Sequence, residues 1–142
     1  LDLACGRGRH SLVLLDCGYD VVAVDSDATA MADLVKRTPA AAKNRLQTCL
    51  CDLEEFDKWL DMLHNGRFAL VLVVNYLHRP LLTRLLELLE PGGILIYETW
   101  AVGNEVFACP KDSTTISERS LKPNELLTLV LPTCEVLGFS HG

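Results

Sequence analysis

The chain opens on a short apolar segment that leads into a glycine-rich turn. Asp2 lies in this segment, and Gly6 and Gly8 follow it. A second apolar run then ends on another carboxylate, Asp25. Glycine lets a backbone turn tightly and approach a ligand closely, and a carboxylate can accept hydrogen bonds from the two hydroxyls of a ribose. This succession of strand, glycine turn, helix, strand and acid predicts a site for a nucleotide-like cofactor.

Two residues in this stretch indicate which cofactor the turn would bind. A dinucleotide places its pyrophosphate against the amides of the turn, and Asp2 would repel that anion. Ser11 also takes the place of the third glycine in the dinucleotide pattern. Asp2 would instead attract a ligand with a cationic amine, and S-adenosylmethionine carries an ammonium and a sulfonium. The alternative is a tight strand-to-helix turn that binds no ligand.

The sequence D-L-A-C-G-R-G, residues 2–8, resembles the first motif of class I S-adenosylmethionine-dependent methyltransferases, D-x-G-x-G-x-G. Ala4 stands where a glycine is more usual. Asp52 after the third predicted strand and a Pro-Gly-Gly turn at residues 91–93 also match that class, in the same order. The segments GRGRHS, NYLHRPLL and YETW resemble a bacterial-type subgroup of small-molecule methyltransferases related to tellurite-resistance proteins.

The resemblance implies a cofactor site at the carboxyl ends of the strands. The backbone of the turn would line the methionine part of the cofactor, and Asp2 would reach its ammonium directly or through water. Asp25 would accept from the ribose hydroxyls, and Asp52 would flank the adenine. A helix N-cap is the alternative role of Asp52, because two glutamates follow it. The complete implied cofactor-binding set is Asp2, Ala4, Cys5, Gly6, Gly8, Asp25, Ser26, Asp52, Leu53 and Asn75.

Methyl transfer from a sulfonium is an in-line displacement, so catalysis depends largely on holding the donor and the nucleophile in alignment. His78 is a candidate general base, and Arg79 could hold an anionic substrate. Alternatively, this stretch is only a strand-to-helix corner in which Asn75 and His78 satisfy backbone groups. The residues expected to face the methyl group are Asn75, Tyr76, His78, Arg79, Glu98 and Thr99.

The rest of the chain alternates between strand and helix patterns. This alternation predicts an α/β fold with a Rossmann-like, mostly parallel sheet and helices on both faces. Uniform apolar runs indicate buried parallel strands, and apolar positions at helical spacing indicate helices. After the first strand, strands are predicted at residues 21–24, 46–51, 68–74, 94–97 and 134–139. Helices are predicted at residues 11–17, 28–38 and 53–64, in a leucine-rich stretch ending at residue 90, and at 123–130; residues 40–45 are a loose connection.

The length of 142 residues corresponds to a single domain, residues 1–142. By comparison with the class, we expect this domain to be truncated at both ends, without the helix before the first strand and without the last strand of the sheet. The sixth strand would then have an exposed edge. We therefore expect these residues alone to be marginally stable and prone to aggregation.

Composition argues against several kinds of partner. The net charge of −6 gives no electrostatic footprint for nucleic acid, and no basic run suggests an anionic membrane. The six cysteines show neither a C-x-x-C pair nor spacing suited to zinc. We expect no metal, and free thiols in a reducing cytoplasm.

Three functions remain as hypotheses. The first is a methyltransferase acting on a small-molecule acceptor. The second is a catalytically inactive module that binds a cofactor or a partner. The third is a nicotinamide-dependent oxidoreductase, against which Asp2 and Ser11 argue. The sequence leaves the methyl acceptor and the oligomeric state open.

Overall fold

A computed structural model describes residues 1–55, 67–103 and 120–140 of the chain. These residues contain one five-stranded sheet, in the order β3-β2-β1-β4-β5, in which every neighbouring pair is parallel. The prediction of an α/β fold with a parallel, Rossmann-like sheet is confirmed. The strands are β1 (Asp2–Leu3), β2 (Val21–Asp25), β3 (Leu46–Leu50), β4 (Phe68–Val74) and β5 (Leu89–Glu98).

Helical segments connect these strands. The second helix begins at residue 28 as predicted, and Asp27 caps it, because its side chain accepts hydrogen bonds from the backbone amides of Thr29 and Ala30, at 2.8 and 3.0 Å. Residues 40–45, expected to be a loose connection, form a 3-10 helix instead. The α-helices are α1 (Arg9–Asp16), α2 (Ala28–Arg37), α3 (Arg79–Leu82) and α4 (Glu125–Val130), and the 3-10 helices are Ala40–Arg45 and Leu85–Leu88.

Two apolar layers cover opposite faces of the sheet. Side chains alternate between the faces of a strand, and the side chains of β2 enter both layers. One layer includes Val21 and Ala23 with residues of α1 and α2, namely Leu15 and Leu34. The other includes Val24 with residues of the neighbouring strands and of the segment after β4, namely Leu3, Val71, Val73, Leu81, Leu82, Leu85 and Leu88. Helices therefore pack on both faces, as the sequence predicts.

The leucine-rich stretch after β4 does not form one helix. It divides into α3 and a 3-10 helix, in which Leu85 and Leu88 are both buried. These two leucines are three residues apart, so they share a face at three residues per turn. β5 then begins at Leu89, five residues earlier than predicted. A register shift between the pairs Phe68–Leu89 and Leu70–Ile94 places the Pro-Gly-Gly turn inside the strand as a bulge.

The prediction of a sixth strand at residues 134–139 is wrong. These residues form no strand, and the side chains of Leu137 and Phe139 are 79% and 47% exposed. A strand requires a neighbour for its backbone hydrogen bonds, and none of the described strands pairs with this segment. The predicted helix at 53–64 lies largely outside the described residues. Most of residues 101–122 also lies outside them, and the two described ends of that range are joined by an isolated bridge between Ala101 and Leu121.

The glycine turn and helix α2 are in close contact, which generates a test. Gly8 has a φ of +71°, and a Cβ at this position would overlap Leu34 Cδ1 in the core. We expect Gly8→Ala to be strongly destabilising, by roughly 2–4 kcal/mol, because it adds steric overlap to left-handed strain. Since Leu34→Ala makes room, the double variant should be less destabilised than the sum of the two single variants.

Urea denaturation of the four proteins in this cycle measures the coupling. Gly6→Ala is the matched control, because φ at Gly6 is +54° while a Cβ there meets nothing within 4 Å. The free energy of unfolding of that control should therefore fall by only about 1 kcal/mol, the cost of left-handed backbone strain in an alanine. Strict additivity in the Gly8 and Leu34 cycle would contradict the packing argument.

Candidate cofactor site

The order of the strands creates a crevice beside β1. β1 lies between β2 and β4, so the connections from β1 to β2 and from β3 to β4 run to opposite sides of it. In open α/β sheets, ligands bind at such a switch point, outside the carboxyl ends of the strands. The glycine turn follows β1 at this edge, and residues 75–78 follow β4. The fold therefore brings together the turn and the corner that the sequence singles out.

The turn is built from alternating left-handed residues. Ala4, Gly6 and Gly8 have φ values of +53°, +54° and +71°. The amide of Cys5 donates to Val24 O at 3.0 Å, and the amide of Gly8 donates to Cys5 O at 2.9 Å. A left-handed alanine costs about 1–2 kcal/mol, which explains why glycine is more usual at position 4. Because a Cβ at Gly6 would meet no atom within 4 Å, open space adjoins the turn.

Asp25 is bound directly to this turn. Its Oδ2 accepts from the amide of Gly6 at 2.6 Å, and its Oδ1 accepts from the amide of Asp27 at 2.9 Å. A carboxylate has about four acceptor positions, so Asp25 can still accept from a ligand's hydroxyls. The half-buried carboxylate thus joins the ends of β1 and β2, and the exposed Ser26 follows it.

Cys5 offers its backbone rather than its thiol. Its Sγ lies 3.6 Å from the sulfur of Met31. Burial, with smaller contributions from Asp2 and Asp25, raises the pKa of the Cys5 thiol to about 12. The thiol therefore stays protonated at neutral pH and is a poor nucleophile.

Asp2 lies beneath the turn, inside the sheet. Its side chain is 1% exposed, and its Oδ2 accepts from the hydroxyl of Ser11 at 2.5 Å. Burial raises the pKa of the Asp2 carboxyl, and the hydrogen bond from Ser11 opposes that rise. Ser11 is itself fully buried in α1, so the residue that replaces the third glycine supplies a donor to a buried acid. This pair was not predicted from the sequence. A polar residue on the buried face of a helix was the signal that could have indicated it.

Asp52 begins a turn after β3. Its Oδ1 accepts from the amide of Glu54 at 2.9 Å, and its carbonyl accepts from the amide of Glu55 at 3.1 Å. This is an Asx-type turn, and the helix that Asp52 was expected to cap lies largely outside the described residues. The carboxylate is exposed, whereas Leu53 beside it is buried in the core at 4% exposure.

The corner after β4 is held to the end of β5. Asn75 is left-handed, with φ +57°, and its amide donates to Glu98 O at 2.8 Å. The hydroxyl of Tyr97 donates to Tyr76 O at 2.6 Å. The hydroxyl of Tyr76 is buried and has no hydrogen-bond partner among the described residues. An unpaired buried hydroxyl costs about 1–3 kcal/mol.

Arg79 does not present a free cation to the crevice. Its guanidinium donates to Glu125 at 2.7 and 3.1 Å and to Ser120 O at 2.9 Å, which connects α3 to α4. Hydrogen bonding from Arg79 holds the pKa of Glu125 below its usual value. The role of Arg79 in holding an anionic substrate stays a prediction, and in this structure Glu125 supplies an anion to its guanidinium. His78 occupies the N-cap position of α3 without a side-chain capping bond.

A cavity of about 180 Å³ lies beside this corner, at the end of β5. Glu98 and Thr99, expected to face the methyl group, both line it. Tyr97 and Glu98 line it on one side, and Lys122 and Glu125 also contribute. Among the described residues, no group of three or more His, Cys, Asp or Glu side chains could hold a metal ion. No helix in the described ranges is long and apolar enough to cross a membrane.

Comparisons with known proteins identify similar domains and structures among methyltransferases. A family model described as a methyltransferase domain matches residues 1–93. The glycopeptide N-methyltransferase MtfA, solved in complex with sinefungin, is 26% identical with a TM-score of 0.57; the match covers 77% of this chain and 49% of that one. The chain therefore spans about half the length of that structure. No curated protein sequence matches the chain.

Two further solved structures are similar in fold alone. One is geranyl diphosphate C-methyltransferase from Streptomyces coelicolor A3(2), at 14% identity and a TM-score of 0.67, covering 92% of this chain and 51% of that one. The other is a TehB-like SAM-dependent methyltransferase from Corynebacterium glutamicum, at 19% identity and a TM-score of 0.54, covering 82% and 61%.

The buried carboxyl of Asp2 predicts a specific pH dependence of stability. Its pKa is raised above the ordinary value of 3.8, so between these two values the folded state binds a proton that the unfolded state releases. Stability from this group is therefore present at low pH and is lost as the pH rises through the raised pKa. Asp2→Asn keeps an acceptor for Ser11 but does not titrate.

Urea denaturation at a series of pH values tests this expectation. The free energy of unfolding of Asp2→Asn, relative to the original protein, should increase as the pH rises from about 4 and then level off. Asp20→Asn, at an exposed position, is the control and should show no such trend. A difference between Asp2→Asn and the original protein that is constant over this range would contradict the buried-carboxyl interpretation.

Proposed function

Since the chain belongs to the methyltransferase domain family, whose model matches residues 1–93, we propose that it binds S-adenosylmethionine and transfers a methyl group to a small-molecule acceptor. The observation that carries the proposal is the 2.6 Å hydrogen bond between the Gly6 amide and Asp25. It holds the Asp25 carboxylate beside a left-handed turn that adjoins open space, which supports a role for this carboxylate in accepting from a ribose. MtfA, at 26% identity, has been solved with S-adenosylmethionine itself.

The chain's own residues divide the work of binding. The backbone of Ala4, Cys5 and Gly6 lines the methionine part, and Gly8 lets the turn pack on α2. Asp25 accepts from the ribose hydroxyls, with Ser26 next to it. Asp52 and the backbone of Leu53 flank the adenine, and Asn75 lies below the methionine part. Asp2 acts from beneath the turn, where its negative charge favours a bound ammonium.

When bound, S-adenosylmethionine would supply a methyl group that its sulfonium activates for in-line displacement by the acceptor. The protein's contribution is to align the acceptor with that methyl group and to exclude water. The hydrogen bond from Asn75 to Glu98 places the cavity at the end of β5 next to the β4 corner. We assign the acceptor to this cavity, and His78 is the candidate base if the nucleophile must lose a proton.

The similar structures are methyltransferases with different acceptors: a glycopeptide for one and geranyl diphosphate for another. The proposal for this chain therefore specifies a small molecule and no particular acceptor. We further propose a cytoplasmic protein, supported by the free thiols of Cys5, Cys17 and Cys134. We propose that neither nucleic acid nor a membrane is a partner.

A cofactor-binding module without catalysis is the second candidate. The observation that favours it is the pairing of Arg79 with Glu125, which engages one of the two side chains expected to act on an acceptor. Cofactor binding would be common to both candidates, and only turnover separates them. The match to a methyltransferase domain family gives no support to the hypothesis of a nicotinamide-dependent oxidoreductase.

Calorimetric titration of S-adenosylmethionine tests the proposed function, with NADH as the comparison ligand. We expect binding of S-adenosylmethionine and none of NADH. Asp25→Ala should weaken binding roughly 10- to 100-fold, because it removes charge-assisted hydrogen bonds to the ribose. Asp20→Ala, at an exposed position before β2, is the matched control and should bind as the original protein does. Absence of S-adenosylmethionine binding by the folded protein would refute the proposal.

A further inference from the structure

Tyr76 combines a fixed backbone with an unpaired side chain. Its carbonyl is held by the hydroxyl of Tyr97 at 2.6 Å, and Asn75 before it turns the chain with a φ of +57°. The hydroxyl of Tyr76, in contrast, is buried without a hydrogen-bond partner among the described residues. Buried hydroxyls in native proteins are nearly always paired, so an exception calls for an explanation.

The surroundings place this hydroxyl near the acids that follow β2 and β3. The ring of Tyr76 packs against the apolar layer that contains Leu53. Burial raises the pKa of Tyr76 to about 12, and the charges of Glu54, Asp52 and Asp25 contribute in that order. The phenol is therefore protonated at neutral pH and can donate a hydrogen bond.

The neighbouring acids already have donors of their own. Asp25 accepts from the amides of Gly6 and Asp27, and Asp52 accepts from the amide of Glu54. Neither carboxylate accepts a hydrogen bond from the hydroxyl of Tyr76. An adenosine group in the crevice would bring new acceptors to this region, since its ring nitrogens and ribose oxygens accept hydrogen bonds.

We propose that Tyr76 is a cofactor-binding residue whose ring changes χ1 rotamer when cofactor enters, so that its hydroxyl donates to the adenosine half of the ligand. This inference rests on the proposed function, and it assigns Tyr76 to binding rather than to the methyl group that the sequence analysis expected it to face. The gain of a partner for an otherwise unpaired hydroxyl makes the new rotamer favourable only with ligand present.

The test uses Tyr76→Phe, which removes only the hydroxyl. Tyr19→Phe is the matched control, because Tyr19 is 62% exposed and lies in the turn between α1 and β2. The probes are S-adenosylmethionine and 5′-methylthioadenosine, which keeps the adenosine half but lacks the amino acid part. The readouts are the dissociation constant of each probe by calorimetry and the midpoint of thermal unfolding without ligand.

The proposal predicts effects of opposite sign. Tyr76→Phe should weaken binding of both probes about five- to tenfold, and it should leave the unfolding midpoint unchanged or raised, because no buried hydroxyl is left unpaired. Tyr19→Phe should alter neither binding constant. Equal affinities of Tyr76→Phe and the original protein for both probes would overturn the proposal, whether or not turnover falls. If the original protein itself fails to bind S-adenosylmethionine, the proposed function is what fails.

Discussion

The structure of the crevice depends on one hydrogen bond, from the amide of Gly6 to the carboxylate of Asp25. It connects the turn after β1 with the end of β2, and so fixes two strands' carboxyl ends with respect to each other. The amide is available because Gly6 adopts a left-handed conformation that costs glycine little. The carboxylate is available because Asp25 is the last residue of β2, at the carboxyl ends of the strands. Besides this bond, the turn is held by the hydrogen bond from the Cys5 amide to Val24 O and by the contact of Gly8 with α2.

Backbone groups dominate this candidate site. The turn offers amides and carbonyls, the Cys5 thiol stays protonated, and Asp2 is buried with Ser11 as its donor. Such an arrangement suits a reaction in which alignment matters more than proton transfer. It also means that few side chains in this site carry a recognisable chemical signature.

Local patterns in the sequence predicted the parts of the fold that local forces determine. The bounds of β4 follow from a uniform apolar run, and the start of α2 follows from a local Asx cap. The prediction of a sixth strand failed because an apolar pattern shows only that a segment could pair, and no described strand pairs with it. The pairing of Arg79 with Glu125 was not predicted for a related reason: Glu125 is distant in sequence, and no local pattern indicates that the two residues meet.

The same distinction explains what the sequence revealed about the candidate site. Gly6, Gly8 and Asp25 belong to one spacing pattern and were identified together. The donor that Ser11 gives to Asp2, and the unpaired hydroxyl of Tyr76, depend on burial. Burial is a property of the assembled sheet, so it could not be read from residue types alone.

The central position of β1 has a consequence for synthesis on the ribosome. β1 pairs with both β2 and β4, and Asp2 lies opposite Ala23 on one side and Leu72 on the other. During translation β1 can pair with β2 first, and its other edge remains open until β4 has been synthesised. Until then an apolar strand that carries an acid destined for the interior is exposed, and such unpaired edges are prone to aggregation.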